Sequence, residues 1–287
     1  LAMRIVNWFM GGNKKKSTRY TACTDRASVV FCLIASLALS CTSLWAQSPS
    51  FPDVTRNCPR CDLRQARLFG AELAGADLRG AYLYWANLKR ADMRNAQLDS
   101  ADLRGALMHE ARLDSASLVE TDLRRALLLD ANLADANLRG ARLDSADMRR
   151  VRARRAHWLG AALRAVFLQG ADLTATVLVQ ADLSGTDLRE ALLDSADLRE
   201  ARLQDANLRG ASLRAVDLRR AILQRARLDK ADLRGAILVG ADLIDAHLRG
   251  ADLSGANVER AVLRMADIGH AKVVGAQLLT ADLRKAQ

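Results

Sequence analysis

From Cys61 to Lys285 one five-residue unit repeats without insertion or deletion, and that unbroken register limits the fold more than any other property of the chain. Typical copies are Ala76 Asp77 Leu78 Arg79 Gly80 and Ala196 Asp197 Leu198 Arg199 Glu200. On an α-helix a step of five residues turns about 140° beyond a full rotation, so Leu78, Leu83 and Leu88 would spiral around the cylinder. In a long strand five is an odd step, and successive leucines would fall on opposite faces. Within one unit, however, Ala76 in, Asp77 out and Leu78 in is a short alternating strand, and Arg79 with Gly80 can turn a corner. If each corner bends roughly a right angle, four units close a coil and the chain stacks on itself twenty residues later.

Stacked coils pair their backbone groups with the coils above and below at a spacing of about 4.8 Å. The 225 residues from Cys61 to Lys285 divide into 45 pentads, or about eleven coils, which predicts a rod roughly 50 Å long. Leucines form four inner ladders with alanines beside them, each buried leucine contributing roughly 1.5–3 kcal/mol against the cost of ordering the backbone. No proline interrupts the repeats, in keeping with continuous pairing.

At these residues the chain resembles the pentapeptide-repeat family, whose unit is Ala, then Asp or Asn, then Leu, then two variable positions. The resemblance covers residues 61–285. It implies an all-β fold, a right-handed quadrilateral parallel β-helix, and so supplies a handedness that the spacing does not. The best-known members mimic DNA and bind DNA gyrase, but they are strongly acidic. The resemblance brings no catalytic motif.

Ahead of the repeats, residues 4–26 hold six basic side chains and one acid, an apolar run follows from Val29 to Leu39, and Trp45 Ala46 precede Gln47. A basic start, an apolar run and a small residue before a polar stretch predict a signal peptide over 1–46, cleaved after Ala46. An uncleaved membrane anchor is the alternative. Residues 47–60, which hold all three prolines, are expected as a linker and N-terminal cap, and 61–287 as the β-helix. The formal charge is +10, with 43 basic and 33 acidic side chains; without residues 1–46 it falls to +5. The repeats are thus mixed-sign, and nucleic acid is disfavoured as a partner.

Cys58 and Cys61 are the cysteines outside the leader. They lack the further ligands of a zinc site and the strand-and-helix context of a redox CxxC, so a disulfide pinning the first coil is expected, suited to a periplasmic or extracellular compartment. Outward Asp and Arg, as in Asp102 and Arg104, predict a lattice of exposed ion pairs worth roughly 0–1 kcal/mol each and serving solubility.

One disturbance is central: Ala153 and Trp158 stand where leucine belongs, on adjoining sides, which predicts a compensating swap of volume. Around it Arg149, Arg150, Arg152, Arg154 and Arg155 form a candidate cluster for phosphate, sulfate or an anionic envelope headgroup, with a solvated face as the plainer alternative. Counting four pentads per coil aligns Leu107, Leu127 and Phe167, interrupted by Asp147 and with Leu129 nearby, as a candidate protein-binding strip. Phe69, Tyr82, Tyr84 and Trp85 are expected to cap the N-terminal end of the core, with a sugar-stacking platform as the alternative. At the other end the chain stops mid-pentad without a cap, so the expectation is either a truncated chain or self-association through an open strand edge.

The histidines His109, His157, His247 and His270 are scattered, and neither a phosphate-cradling glycine loop nor a nucleophile with a positioned base is evident. No catalytic, cofactor-binding or metal-ligating residue is therefore assigned. The sequence reads as an exported, non-enzymatic structural or interaction protein presenting a rigid rod; a DNA mimic acting on a type II topoisomerase is the alternative.

Overall fold

The computed structural model describes residues 57–287; the expected leader and the linker up to Arg56 lie outside them. Each pentad places its second residue in a parallel bridge with the residue twenty positions on, from Asn57 with Asp77 through to Val262 with Asp282. Four pentads therefore separate partners, as the register predicts.

The pentad Ala101–Gly105 shows why the unit is built as it is. The Asp102 N–H donates to the Ala81 carbonyl of the coil before at 2.9 Å, while Leu103 and Gly105 donate to Asp122 and Arg124 of the coil after at 2.8 and 3.0 Å. The Ala101 N–H closes the preceding corner on the Leu98 carbonyl at 2.9 Å, and Ala106 closes the next on Leu103 at 3.0 Å. Four of the five N–H groups are thus taken by backbone. The fifth, on Arg104, donates to Oδ1 of Asp102 at 3.2 Å. An Asp or Asn at the second position supplies the acceptor that the backbone lacks, as such side chains do two residues ahead of themselves in turns.

Each corner is a type II turn, its second central residue at positive φ: +63° at Gly105, and between +50° and +61° at the non-glycine corners. Arginine, serine, aspartate and glutamate stand there as well as glycine. A left-handed L-residue costs about 1–2 kcal/mol, so these corners persist because neighbouring coils fix them on both sides.

The corners also alter the expected strand. Two of five residues turn and two more bond across corners or coils, which leaves one bridging residue per pentad; no run of bridges long enough to be a strand occurs among the described residues. Inward leucines and alanines are fully buried along the tube, with Met93, Met108 and Met148 standing in for leucine. Thr121 and Thr186 replace alanine and donate their hydroxyls to the Leu98 and Leu163 carbonyls at 2.9 and 2.8 Å. In the last coil the inward Val273, Leu278 and Leu283 are 46, 38 and 39% exposed.

Within the stretch expected as linker and N-terminal cap, residues 57–60 already follow the pattern of the coils. Asn57 bridges, Cys58 takes the inward leucine position, and Pro59 with Arg60 makes the corner. Proline suits that corner twice: its φ is preset for the first central residue of the turn, and it has no N–H to leave unpaired.

Candidate interaction surface

Each pentad points three residues outward, the bridging one and the two at the corner. The commonest wall contact joins the first two. Asp92 accepts Arg94 Nε and Nη2 at 2.8 and 2.6 Å, and its Oδ1 also receives the Arg94 N–H at 3.3 Å. The same fork joins Asp77 to Arg79 and Asp187 to Arg189. In each, the arginine's hydrogen bonds hold the carboxyl below the usual carboxylate range. A second set runs along the corners, one coil apart: Glu110 with Arg90, Asp130 with Arg150, Asp135 with Arg155 and Asp205 with Arg225.

These contacts engage most of the arginines expected as an anion cluster. Arg149 is held by Asp147 at 2.8 and 2.6 Å, Arg150 by Asp130 at 2.8 and 2.7 Å, and Arg155 by Asp135 at 2.7 Å to each oxygen. Arg154 lies 2.9 Å from Asp172. Arg152 makes no ion pair within 4 Å among the described residues, though its charge acts on Asp130; it lines a shallow hollow of about 350 Å³ with Arg112, Asn132 and the Asp130–Arg150 pair. Neighbours in sequence, four of the five are thus each engaged by a carboxylate of their own or of another pentad.

The leucine strip is brought together in part. Leu107 bridges Leu127, Leu127 bridges Asp147, and Asp147 bridges Phe167. Leu107, Leu127 and Leu129 are half-buried while Phe167 is 49% exposed, and the Asp147–Arg149 pair cuts the strip between them. Leu129 also lines a hollow of about 400 Å³ with Phe69, Lys89 and His109. Burial, then the nearby Lys89 charge, lowers the His109 pKa, and its Nδ1 is buried without a partner. Cys58 and Cys61 are joined in a disulfide, their Cα atoms 5.4 Å apart, and both side chains point into the first coil. Ala153 and Trp158 are both fully buried, and the indole N–H finds no acceptor.

The aromatic residues are not where a cap would put them. Tyr82, Tyr84 and Trp85 fill all three outward positions of one pentad and stand on the side wall, 51, 36 and 48% exposed, with Phe69 also outward. The expected cap over the core's end is therefore not formed by them, because the alternation that buries Ala81 and Leu83 turns these rings outward. Among the described residues no three His, Cys, Asp or Glu side chains group as a metal site, and no helix is long and apolar enough to cross a membrane.

The family model for pentapeptide repeats matches in eight copies, over residues 57–83, 76–114, 91–128, 116–152, 159–194, 196–235 and 226–264. Among solved structures, HetL, a pentapeptide repeat protein involved in heterocyst differentiation regulation in the cyanobacterium Nostoc, is 35% identical; the match covers 80% of this chain and 90% of HetL, with a TM-score of 0.33. QnrB1, a plasmid-mediated fluoroquinolone resistance protein, is 17% identical over 77% of this chain and 88% of its own, with a TM-score of 0.41. A pentapeptide repeat protein of the Arabidopsis thaliana thylakoid lumen is 28% identical over 40% of this chain and 69% of its own, with a TM-score of 0.16. No curated protein matches the chain. Because the repeat model spans most of residues 57–264 and HetL is 35% identical across 80% of the chain, this protein belongs to the pentapeptide-repeat family.

Proposed function

We propose that this chain is an exported, non-enzymatic interaction protein, and that its repeats wind a right-handed, four-sided rod of about eleven coils. The observation that carries the reading is the self-sufficiency of the wall. Most of its backbone donors are answered within the stack, and its outward carboxylates largely by arginines of the same or a neighbouring pentad. Such a surface presents side chains rigidly and loses little conformational entropy on binding, which suits recognition. Its hollows are shallow and lined by charged residues, in one of them beside Phe69, His109 and Leu129.

A protein partner is assigned to the strip of Leu107, Leu127, Leu129 and Phe167, and self-association to the C-terminal coil with its exposed Val273, Leu278 and Leu283. A basic, then apolar, then small-residue leader supports export to the periplasm or beyond. An export reporter fused to the chain, followed by cross-linked capture from the envelope fraction, tests the whole reading. Reporter activity outside the cytoplasm and a partner lost with Leu107→Asp plus Leu127→Asp are expected. Retention in the cytoplasm would overturn export and favour the topoisomerase-directed alternative.

A further inference from the structure

We propose that the pentad Ala81–Trp85 is a saccharide-binding platform that takes an extended, uncharged glycan chain by stacking pyranose rings on Tyr82 and Trp85.

The first ground is concentration. The described residues contain six aromatic side chains, and four of them lie between Phe69 and Trp85. Trp158 alone of the six is buried. Rings that filled the tube would be inward, as Trp158 is; Tyr82, Tyr84 and Trp85 take positions that elsewhere carry mainly small or charged residues, and they gain little burial there.

The second ground is that two of the rings, Trp85 and Tyr84, are held in place before any ligand arrives. The Trp85 indole lies flat on the corner of the next coil, where a Cβ on Gly105 would come within 2.9 Å of its Cδ2 and Cε3. Glycine at that corner gives the indole its seat, and Trp85 stays 48% exposed. Tyr84 meets the indole edge-on, centroids 5.7 Å apart at 64°. The Arg104 guanidinium covers the Tyr84 ring at 5.3 Å and is itself fixed by Asp102 at 2.8 and 2.6 Å. Fixed rings spend little rotamer entropy on a ligand.

The third ground is the chemistry around them. In the bridge ladder Tyr82 lies between Asp62 and Asp102, each forked to its own arginine, Arg64 and Arg104. A ligand here must offer a flat C–H face to the rings and polar groups to a rim of carboxylates and guanidinium groups. A pyranose does both, with its axial C–H bonds on one face and its hydroxyls at the edge. A lipid chain would leave the charged rim unanswered, and a phosphate backbone would run against Asp62, Asp102 and Asp122, which share Tyr82's column. Small ligands prefer concave sites. This part of the wall is an open face, which fits several linked sugars better than one.

The test uses the full chain and four probes: the β-1,4-linked hexamers of N-acetylglucosamine and of glucose, insoluble peptidoglycan sacculi, and a thymidine hexanucleotide. Calorimetry and quenching of exposed indole fluorescence report the soluble probes, and co-sedimentation reports sacculi. At least one saccharide should bind and the oligonucleotide should not. Trp85→Ala and Tyr82→Ala should each weaken binding about tenfold or more, while Phe167→Ala, at an exposed ring outside the platform, should not. Melting temperatures unchanged in both platform variants would show that the fold is intact. Gly105→Ala, which pushes the indole off its seat while keeping the ring, should also weaken binding. Failure to bind any saccharide, binding of the oligonucleotide instead, or equal binding by Trp85→Ala overturns the proposal.

Discussion

Replacing Asp92 in two ways separates the two tasks of the pentad's second residue. Its carboxylate accepts the Arg94 N–H at 3.3 Å and grips the Arg94 guanidinium at 2.8 and 2.6 Å, with Arg112 a further 3.5 Å away. Asp92→Asn keeps an oxygen for the N–H and gives up the ion pair, as Asn87 already does for Lys89 at 3.3 Å. Because the Arg94 side chain is well exposed, that loss is worth less than about 1 kcal/mol. Asp92→Ala leaves the N–H without its acceptor in a partly buried setting, which costs a further 1–3 kcal/mol or so. In a domain of this size each kcal/mol moves the melting temperature by about 2–4 °C, so the asparagine variant should lose no more than about 4 °C and the alanine variant about 2–12 °C beyond that. Amide exchange at Arg94, read residue by residue, should accelerate in Asp92→Ala alone. Equal losses in the two variants, both erased in 1 M salt, would mean that charge and not the turn dictates Asp or Asn at this position.

The aspartates also set an acid limit. Arginine hydrogen bonds depress the folded-state pKa of Asp77, Asp92, Asp102 and Asp187 below 3.8, and hold Asp282 at about 2. Depressed carboxyls contribute stability above the unfolded value, and that stability is lost as pH falls through the folded ones. Thermal melts should therefore change little between pH 7 and 5 and drop from about pH 4 towards 2; a steep loss already at pH 5 would contradict this. At the centre of the tube, Ala153→Leu or Trp158→Leu alone should destabilise by about 1–3 kcal/mol through overpacking or a cavity, and the double variant by less than the two together. Strictly additive denaturation midpoints would show that the two sites do not share volume. One residue inserted after Gly140 should collapse the fold, whereas deleting the twenty residues 137–156 should leave it standing, as circular dichroism and melting would show. Reducing the Cys58–Cys61 bridge should speed amide exchange in the first coil and leave Leu133–Leu143 protected; uniform loss along the tube would deny the bridge a local role.

The inward half of this fold was open to reading because it has one job. Leu78, Leu98 and Leu118 must be apolar and must align, so period and register are written directly in the residues. The outward half was harder because one residue often does two things. Asp102 looks like surface charge, and only a count of its pentad's five N–H groups reveals that the Arg104 amide would otherwise go unanswered. The early start was hidden by Cys58 and Pro59, which fit the register by size and by turn geometry but not by name. The partners of the clustered arginines show only when adjacency is counted across coils and not along the chain. Subtracting twenty from Arg150 and Arg155 lands on Asp130 and Asp135, their partners across one coil. The half-burial of Leu107 and Leu127 depends on how neighbouring side chains lie, which column counting alone does not convey.

This arithmetic also indicates how a wall of identical units acquires a specific use. Where Asp and Arg answer one another, as at Asp187 and Arg189, each group already has its partner, and a ligand must break a bond to make one. Such positions repel casual partners without naming a correct one. Specificity has to reside in outward groups that the wall leaves unanswered, and among the described residues the exposed rings of this kind are unevenly placed. Phe167 is one, but it stands beside a paired Asp147 and offers a lone contact. Tyr82, Tyr84 and Trp85 share one pentad, brace one another, and rest on a glycine that lets the indole lie flat. A neutral apolar face set in a self-neutralised charged wall discriminates by stacking and by hydroxyl geometry far more than by net charge. Its binding should therefore vary little with salt, which would separate it from any residual attraction through Arg152.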